Sequence, residues 1–261
     1  MPMLTASGQL FDPTCLAAGV LTDAVCLSDI AHSLAHICRF VGHCKRHYSV
    51  AEHSLFVADI LKRQGYPAAA QFAGLMHDAH EAYCGDVATP IKEAIGPAWR
   101  HFEDGIERTV HAALGISALM AKWKSPVHRA DSSALVTEIR SLFLTPADAE
   151  ARIRALGLEH VDPVDDTLLA ASPGVGYAQR FLERHHALRQ GLLNRRTAAR
   201  RTGNAARCSK SVRTKGRQNR GTARASAAVV AMNNRLPICV TAPGPGKFRP
   251  SRMRTSIRCN R

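Results

Sequence analysis

His77 and Asp78 stand side by side in the stretch HDAHEAYCGDVATPIK, an imidazole next to a carboxylate. Adjacent positions on a helix differ by about 100° in direction, so the two can approach one ion from neighbouring corners. Glu81 follows at i+4 from His77 and i+3 from Asp78, which returns it to the same face. Two further candidate ligands lie elsewhere, His53 in YSVAEHSLFVADIL and Asp131 in SPVHRADSSALVTEI. His53, His77, Asp78 and Asp131 make a mixed nitrogen and oxygen set that leaves coordination positions open, and open positions mean chemistry rather than scaffolding. Each alone reads as an ordinary helical residue; four in this order, with Glu81 and Asp86 behind them, read as a site. The expected cofactor is one divalent transition metal, Mn(II), Co(II), Fe(II) or Zn(II), since Mg(II) prefers an all-oxygen shell.

The elements that must carry these residues are helical. From Ser28 the apolar residues Ile30, Leu34, Ile37, Cys38 and Val41 recur at three and four. The box Ser49, Val50, Ala51, Glu52 predicts a second helix, with His53 on its apolar stripe of Val50, Val57 and Ile60 or Leu61 and so directed inward. Pro67 predicts a third running to about Tyr83, buried through Phe72, Leu75, Met76 and Ala79 and ended by Gly85. The loop GDVATP then presents Asp86 and Thr89 as a pocket rim. Further helices are expected at about 97–114, at 125–143 starting from Ser125-Pro126, at 146–156 and at 173–190. The segment before Ser28, broken by Gly8, Pro13 and Gly19, is expected as short extended pieces packed on the body. The fold class is all-α: residues 1–27 an extended segment, 28–190 a helical bundle, 191–261 a basic tail.

That tail is an anomaly of charge. All 21 acidic residues lie in 1–190 against 17 Lys and Arg, a charge of −4, while 191–261 holds 18 basic residues and no acid. Segments such as NRRTAARRTGNAARCSKSVRTKGRQNRGTARAS lack apolar periodicity, which predicts disorder. Such a run could bind nucleic acid or an anionic surface through phosphate contacts, nonspecifically since it has almost no aromatics to stack on bases; the complete lack of acids is equally what translation in a shifted frame produces. Eight cysteines without a C-x-x-C pair read as reduced thiols in a cytoplasmic protein. Neither a leader nor a stretch of about 18 apolar residues is visible, so no membrane is expected.

With H, then HD, then D on successive helices, the body resembles the HD-domain metal-dependent phosphohydrolases, and more narrowly the branch containing bacterial 5'-deoxynucleotidases and their uncharacterised relatives. The text that carries the likeness is CRFVGHCKRHYSVAEHS, LMHDAHEAYCGDVATPIK and HRADSSAL, over about residues 8–190. The resemblance implies a single HD-domain helical bundle, His53, His77, Asp78 and Asp131 as metal ligands, and Glu81 in the acidic place near the attacking water. It implies that Asp86 and Thr89 meet the substrate, that Arg39 orients the phosphate, and that Phe40 stands where deoxynucleotidase relatives carry tryptophan. Phe keeps a stacking face but loses the indole donor. The activity implied is hydrolysis of a phosphomonoester, a nucleoside 5'-monophosphate, by a homodimer.

Other readings stay open. His101, His111 and His128 fall between the HD pair and Asp131, where two-metal relatives place extra ligands, which would make the protein a two-metal phosphodiesterase or a diiron oxygenase. His32, His36 and His43, spaced with Arg39 at four, three and four, are a candidate polar face near the pocket, and His80 is expected to pack or meet solvent. A reading from a different class is an inactive HD module tethered to nucleic acid by its tail.

Overall fold

Asp29 is an acidic residue in the first turn of a helix, yet it is almost fully buried. Its two carboxylate oxygens accept the backbone amide and the hydroxyl of Ser7, both at 2.7 Å. Ser7 lies in the loop of a hairpin in which β1 (Met3–Leu4) pairs antiparallel with β2 (Leu10–Phe11). The hairpin is followed by α1 (Pro13–Ala17), capped by Asp12, and α2 (Leu27–His36). The segment expected to be extended is therefore a hairpin and a helix tied to the body. The computed structural model describes residues 2–19, 24–143, 145–169 and 176–194. All of them fall in one compact unit. The expectations for 195–261 lie outside the described residues.

α2 stops at His36 instead of continuing to Val41. Ile37 turns extended, Cys38 forms an antiparallel bridge with Ser49, and Arg39–Gly42 makes a 3-10 turn. The Arg39 amide donates to the Tyr48 carbonyl at 2.8 Å and the Val50 amide to the Ile37 carbonyl at 3.1 Å, which lays the Arg39 loop across the start of the next helix. Phe40 and Val41 hold φ of 58° and 55°, a left-handed conformation that costs a side-chain-bearing residue roughly 1–3 kcal/mol.

α3 (Val50–Arg63) is capped by Ser49, whose hydroxyl accepts the Glu52 amide at 3.2 Å. The reciprocal half of the expected box is not made. The Glu52 carboxylate instead takes both arms of Arg46 at 2.6 and 2.9 Å, because a charge-assisted fork is stronger than a bond to a neutral amide. Every residue of α3 from Val50 to Ala58 is buried, His53 included, since the helix packs against α2, α4 (Ala68–Met76) and α8 (Ser117–Leu142) at once.

The helix expected from Pro67 to Tyr83 breaks in the middle. After α4 the amides of Ala79, Glu81 and Tyr83 reach back only three residues, to Met76, Asp78 and His80, and regular helix resumes for one turn as α5 (Glu81–Cys84). Gly85, at φ 82°, ends it as expected. Where a loop was expected to continue, α6 (Thr89–Ile95) forms, with Pro90 in its first turn. α7 (Pro97–Ala113) lies as predicted and meets α1 backbone to backbone: a Cβ on Gly105 would sit 2.7 Å from the Ala17 carbonyl oxygen. α8 begins at Ser117, so Pro126 is inside the helix rather than at its start. Leu119 and Met120, packed against the core, draw the extra turns in. α9 (Pro146–Ala155) follows, and α10 spans 177–194. The fold is all-α, with the one short hairpin as its only sheet among the described residues. Among them no helix is long and apolar enough to cross a membrane.

α10 closes the core with a histidine. His185 is 3% exposed and its ring lies 5.0 Å from that of Phe72. Burial, then Arg189 and His186, push its pKa down to about 4. Above the unfolded value of about 6.5 both states are neutral and the group contributes nothing to pH dependence. Below it the unfolded chain takes the proton first, so stability falls by up to about 3 kcal/mol as pH drops to about 4. The His185→Leu chain should therefore lose less melting temperature than the parent between pH 6.5 and 4. Parallel melting profiles for the two across that range would contradict this.

Candidate metal centre

Three helices deliver the four expected ligands to one place. His53 comes from the buried core of α3, His77 and Asp78 from the tight turn after α4, and Asp131 from the middle of α8. The two imidazole Nε2 atoms are 3.3 Å apart. Asp131 Oδ1 lies 3.1 Å from His53 Nε2 and 3.9 Å from His77 Nε2, and Asp78 Oδ2 lies 3.5 and 3.1 Å from the same two atoms. Donors bound at about 2.1 Å to one ion stand roughly 3.0 Å apart at right angles and 3.4 Å apart at tetrahedral angles. The observed spacings are of that size, and the group His53, His77, Asp131 could hold a metal ion.

The far side of each ring fixes its tautomer. His77 Nδ1 lies 2.7 Å from the carbonyl of Gly74, which can only accept, so Nδ1 carries the hydrogen. His53 Nδ1 lies 2.6 Å from Oε1 of Glu138, fully buried on α8. Burial opposes ionisation of Glu138, but His53 and Arg39 outweigh it and hold the carboxyl below its usual range, so it too accepts. In their neutral forms both rings aim Nε2 lone pairs at one point, an arrangement that only protons or a cation between them makes favourable. Burial and Arg39 work against a protonated His53, yet Glu138 and Asp131 prevail and raise its pKa to about 9. The His77 pKa rises as well, Asp78 and Asp131 overcoming the effect of burial. Asp78 is held well below the carboxylate range by His77, His53 and Arg39 against burial, and Asp131 is lowered by His53 and His77. A metal ion entering this cluster displaces protons from it.

Glu138 was not expected from the sequence, and it organises the centre. Besides His53, its carboxylate accepts the buried Tyr48 hydroxyl at 2.8 Å and lies 3.3 Å from Arg39 Nη2. Its one sequence signal is that it follows Asp131 by seven residues, two turns along the same helix face. Tyr48 gives no such signal.

Arg39 joins the cluster, with Nη1 3.8 Å from Asp78 Oδ2, and its carboxylate neighbours keep the guanidinium charged in spite of burial. Glu81 is buried, and its Oε2 has no hydrogen-bond partner among the described residues. Burial first, then Asp78 and Asp86, raise its pKa well above the usual carboxylate value. Asp86 is raised too, chiefly by burial, and interacts electrostatically with Arg39, Asp78 and His53. Thr89 is exposed at the start of α6, and no hydrogen bond of its side chain to the cluster is seen among the described residues. Phe40 packs edge-on against Phe143 at 5.3 Å and beneath the Arg39 guanidinium at 5.4 Å. His101 and His128 are exposed, and His111, though buried, faces Glu107 at 3.8 Å; none of the three belongs to a metal-ligating group with His77. His32 and His36 stack on each other at 4.2 Å, exposed on α2.

No protein-family model matches the chain. Uncharacterized protein RCAP_rcc00048 of Rhodobacter capsulatus is 32% identical over 172 residues, which is 64% of this chain and 86% of that protein. The chain belongs to that protein's family. Uncharacterized protein YfdR of Escherichia coli (strain K12) is 38% identical over 122 residues, 47% of this chain, and the chain spans 64% of its length. Neither relative's name states an activity.

Proposed function

We propose that this protein is a metal-dependent phosphohydrolase of the HD-domain class that cleaves a phosphomonoester, with nucleoside 5'-monophosphates as its substrate class. What carries the reading is the pair of Nε2 lone pairs turned to one point between Asp78 and Asp131, with a guanidinium and a protonatable carboxyl beside them. The nucleotide preference comes from the likeness of the three sequence stretches to the deoxynucleotidase branch. His53, His77, Asp78 and Asp131 would hold one Mn(II), Co(II), Fe(II) or Zn(II) ion. Such an ion supplies Lewis acidity, acidifying bound water and neutralising phosphate charge.

The remaining roles belong to the chain's own groups. Arg39 binds phosphate oxygens by charge-assisted hydrogen bonds and offsets the charge that spreads over them in the transition state. Glu81, with its proton affinity raised by burial and by two neighbouring carboxylates, takes the proton of the attacking water at its unpartnered Oε2. Asp86, also raised, delivers a proton to the departing alkoxide. The two carboxyl groups could exchange these tasks without altering the balance: one proton leaves the nucleophile and one joins the leaving group.

The test is phosphate release by the full chain from ribo- and deoxyribonucleoside 5'-monophosphates, with Mn(II) or Co(II). Turnover should depend on the metal, stop with a chelator, and be absent with a phosphodiester. No release from any monophosphate by metal-loaded protein would sink the reading, and preferential cleavage of the diester would replace it with the phosphodiesterase alternative.

A further inference from the structure

A second group of metal-ligating side chains lies on the other side of the same turn. His80 ends the tight turn, Cys84 ends α5 four residues later, and Glu103 reaches them from α7. One ligand atom from each falls within 4.8 Å of the others. His80 Nε2 is 3.9 Å from Glu103 Oε1, and the Cys84 thiol points back along α5, 3.5 Å from the His80 carbonyl. The i, i+4 spacing of His80 and Cys84 puts imidazole and thiol on one face of the turn. His80 was expected to pack or meet solvent. The structure buries it, with Nδ1 lacking a hydrogen-bond partner among the described residues, an arrangement that is costly for a polar atom.

We infer that His80, Cys84 and Glu103 form a second, thiolate-containing site for Zn(II), separate from the His53, His77, Asp78 and Asp131 centre. Lys92 Nζ donates to Glu103 Oε1 at 2.6 Å and Trp99 Nε1 to Oε2 at 3.1 Å. These donors fix the carboxylate in place, and each oxygen keeps a lone pair for an ion. The Lys92 ammonium at 2.6 Å and the His80 imidazole at 3.9 Å both favour the carboxylate form of Glu103. Without a cation, burial and the nearby Glu81 and Glu103 push the Cys84 thiol up to about 12; the same two carboxylates favour a divalent ion. A nitrogen, sulfur and oxygen set selects Zn(II) or Co(II) over Mg(II), and three protein ligands leave a fourth position to solvent. Since α5 carries Glu81 at its start and Cys84 at its end, and α7 carries Glu103, an ion here would fasten the general-base turn to α7. Its role is positional: His80, Cys84 and Glu103 have no part of their own in the proposed reaction.

The test uses Co(II), whose thiolate complexes absorb in the near ultraviolet. Full chain loaded with Co(II) should bind two equivalents and show the thiolate-to-cobalt band. Cys84→Ser should lose the band and one equivalent, Glu103→Gln should weaken that equivalent by at least about tenfold, and Asp131→Ala should keep the band while losing the other equivalent. In the unmutated chain, which sidesteps any folding defect of the variants, Zn(II) should slow alkylation of Cys84 and leave that of Cys15 unchanged. A band that survives Cys84→Ser, or Cys84 alkylation indifferent to Zn(II), overturns the proposal. Failure of the first centre reads differently: Asp131→Ala would then leave the metal count unaltered while the band still depended on Cys84.

Discussion

Asp78→Ala is expected to abolish phosphate release and to purify with one equivalent of metal fewer than the parent. Asp78 Oδ2 sits within 3.5 Å of both imidazole Nε2 atoms and is also the carboxylate facing Arg39 Nη1. Its removal takes away one ligand, raises the net positive charge around the two rings, and frees the guanidinium from one of its two anchors. The loss should exceed the roughly 10–100-fold that follows deletion of an outer partner of a metal ligand. Glu81→Ala should behave oppositely in one respect, keeping the full metal content while turnover is lost, because the Glu81 carboxyl is not one of the four ligands and acts on the Asp78 carboxylate through charge alone. Metal analysis and turnover measured on the same preparations separate the two. Full turnover in a metal-depleted Asp78→Ala chain would remove the metal-dependent mechanism at this centre.

Glu138→Ala is expected to cost about 3–5 kcal/mol of stability, the penalty for deleting one member of a buried charged network and leaving the others without a partner. Three groups depend on this carboxylate: His53 Nδ1 at 2.6 Å, the Tyr48 hydroxyl at 2.8 Å and Arg39 Nη2 at 3.3 Å. The isosteric Glu138→Gln keeps an acceptor for His53 and Tyr48 but no charge. It leaves Arg39 Nη2 without its counter-charge, so it should lose stability but less than Glu138→Ala, while metal affinity falls by about 10–100-fold as the imidazole loses the partner that raises its basicity. Denaturant unfolding and metal titration of both variants check this. Equal metal affinity in Glu138→Gln and the parent would mean that Glu138 serves packing alone.

The four residues of the proposed metal centre were legible as residue types in order, because each carries a chemistry that an ordinary helix does not require. His53 was placed correctly as inward-facing, since a histidine on the apolar stripe of a helix has nowhere else to go. What misled was the assumption of unbroken helix from Pro67 to Tyr83. His77 to His80 form a tight turn instead, and its narrower spacing sends His80 toward α7 while His77 and Asp78 face α3 and α8. Pro126 misled in a similar way. Its missing amide marks a helix start in isolation, but tertiary packing of Leu119 and Met120 outweighs that local signal.

By itself the sequence determined the all-α class, the capping of α3 by Ser49, the stop at Gly85 and the donor atoms that His53, His77, Asp78 and Asp131 bring to one cluster. These follow from periodicity, from backbone stereochemistry and from the donor atoms a residue owns, all of which are local. Only the tertiary structure decided that Glu138 governs His53, that Arg39 reaches Asp78 across a left-handed turn, that Glu52 serves Arg46 rather than its own cap, and that Glu103 meets His80 and Cys84. Those partners are separated by 85, 39, 6 and 23 residues along the chain. Even the shortest of these separations crosses the break at Ser49 between loop and helix. A buried charge takes whatever counter-charge the packing brings within reach, and that proximity is a property of the assembled core rather than of any stretch of chain.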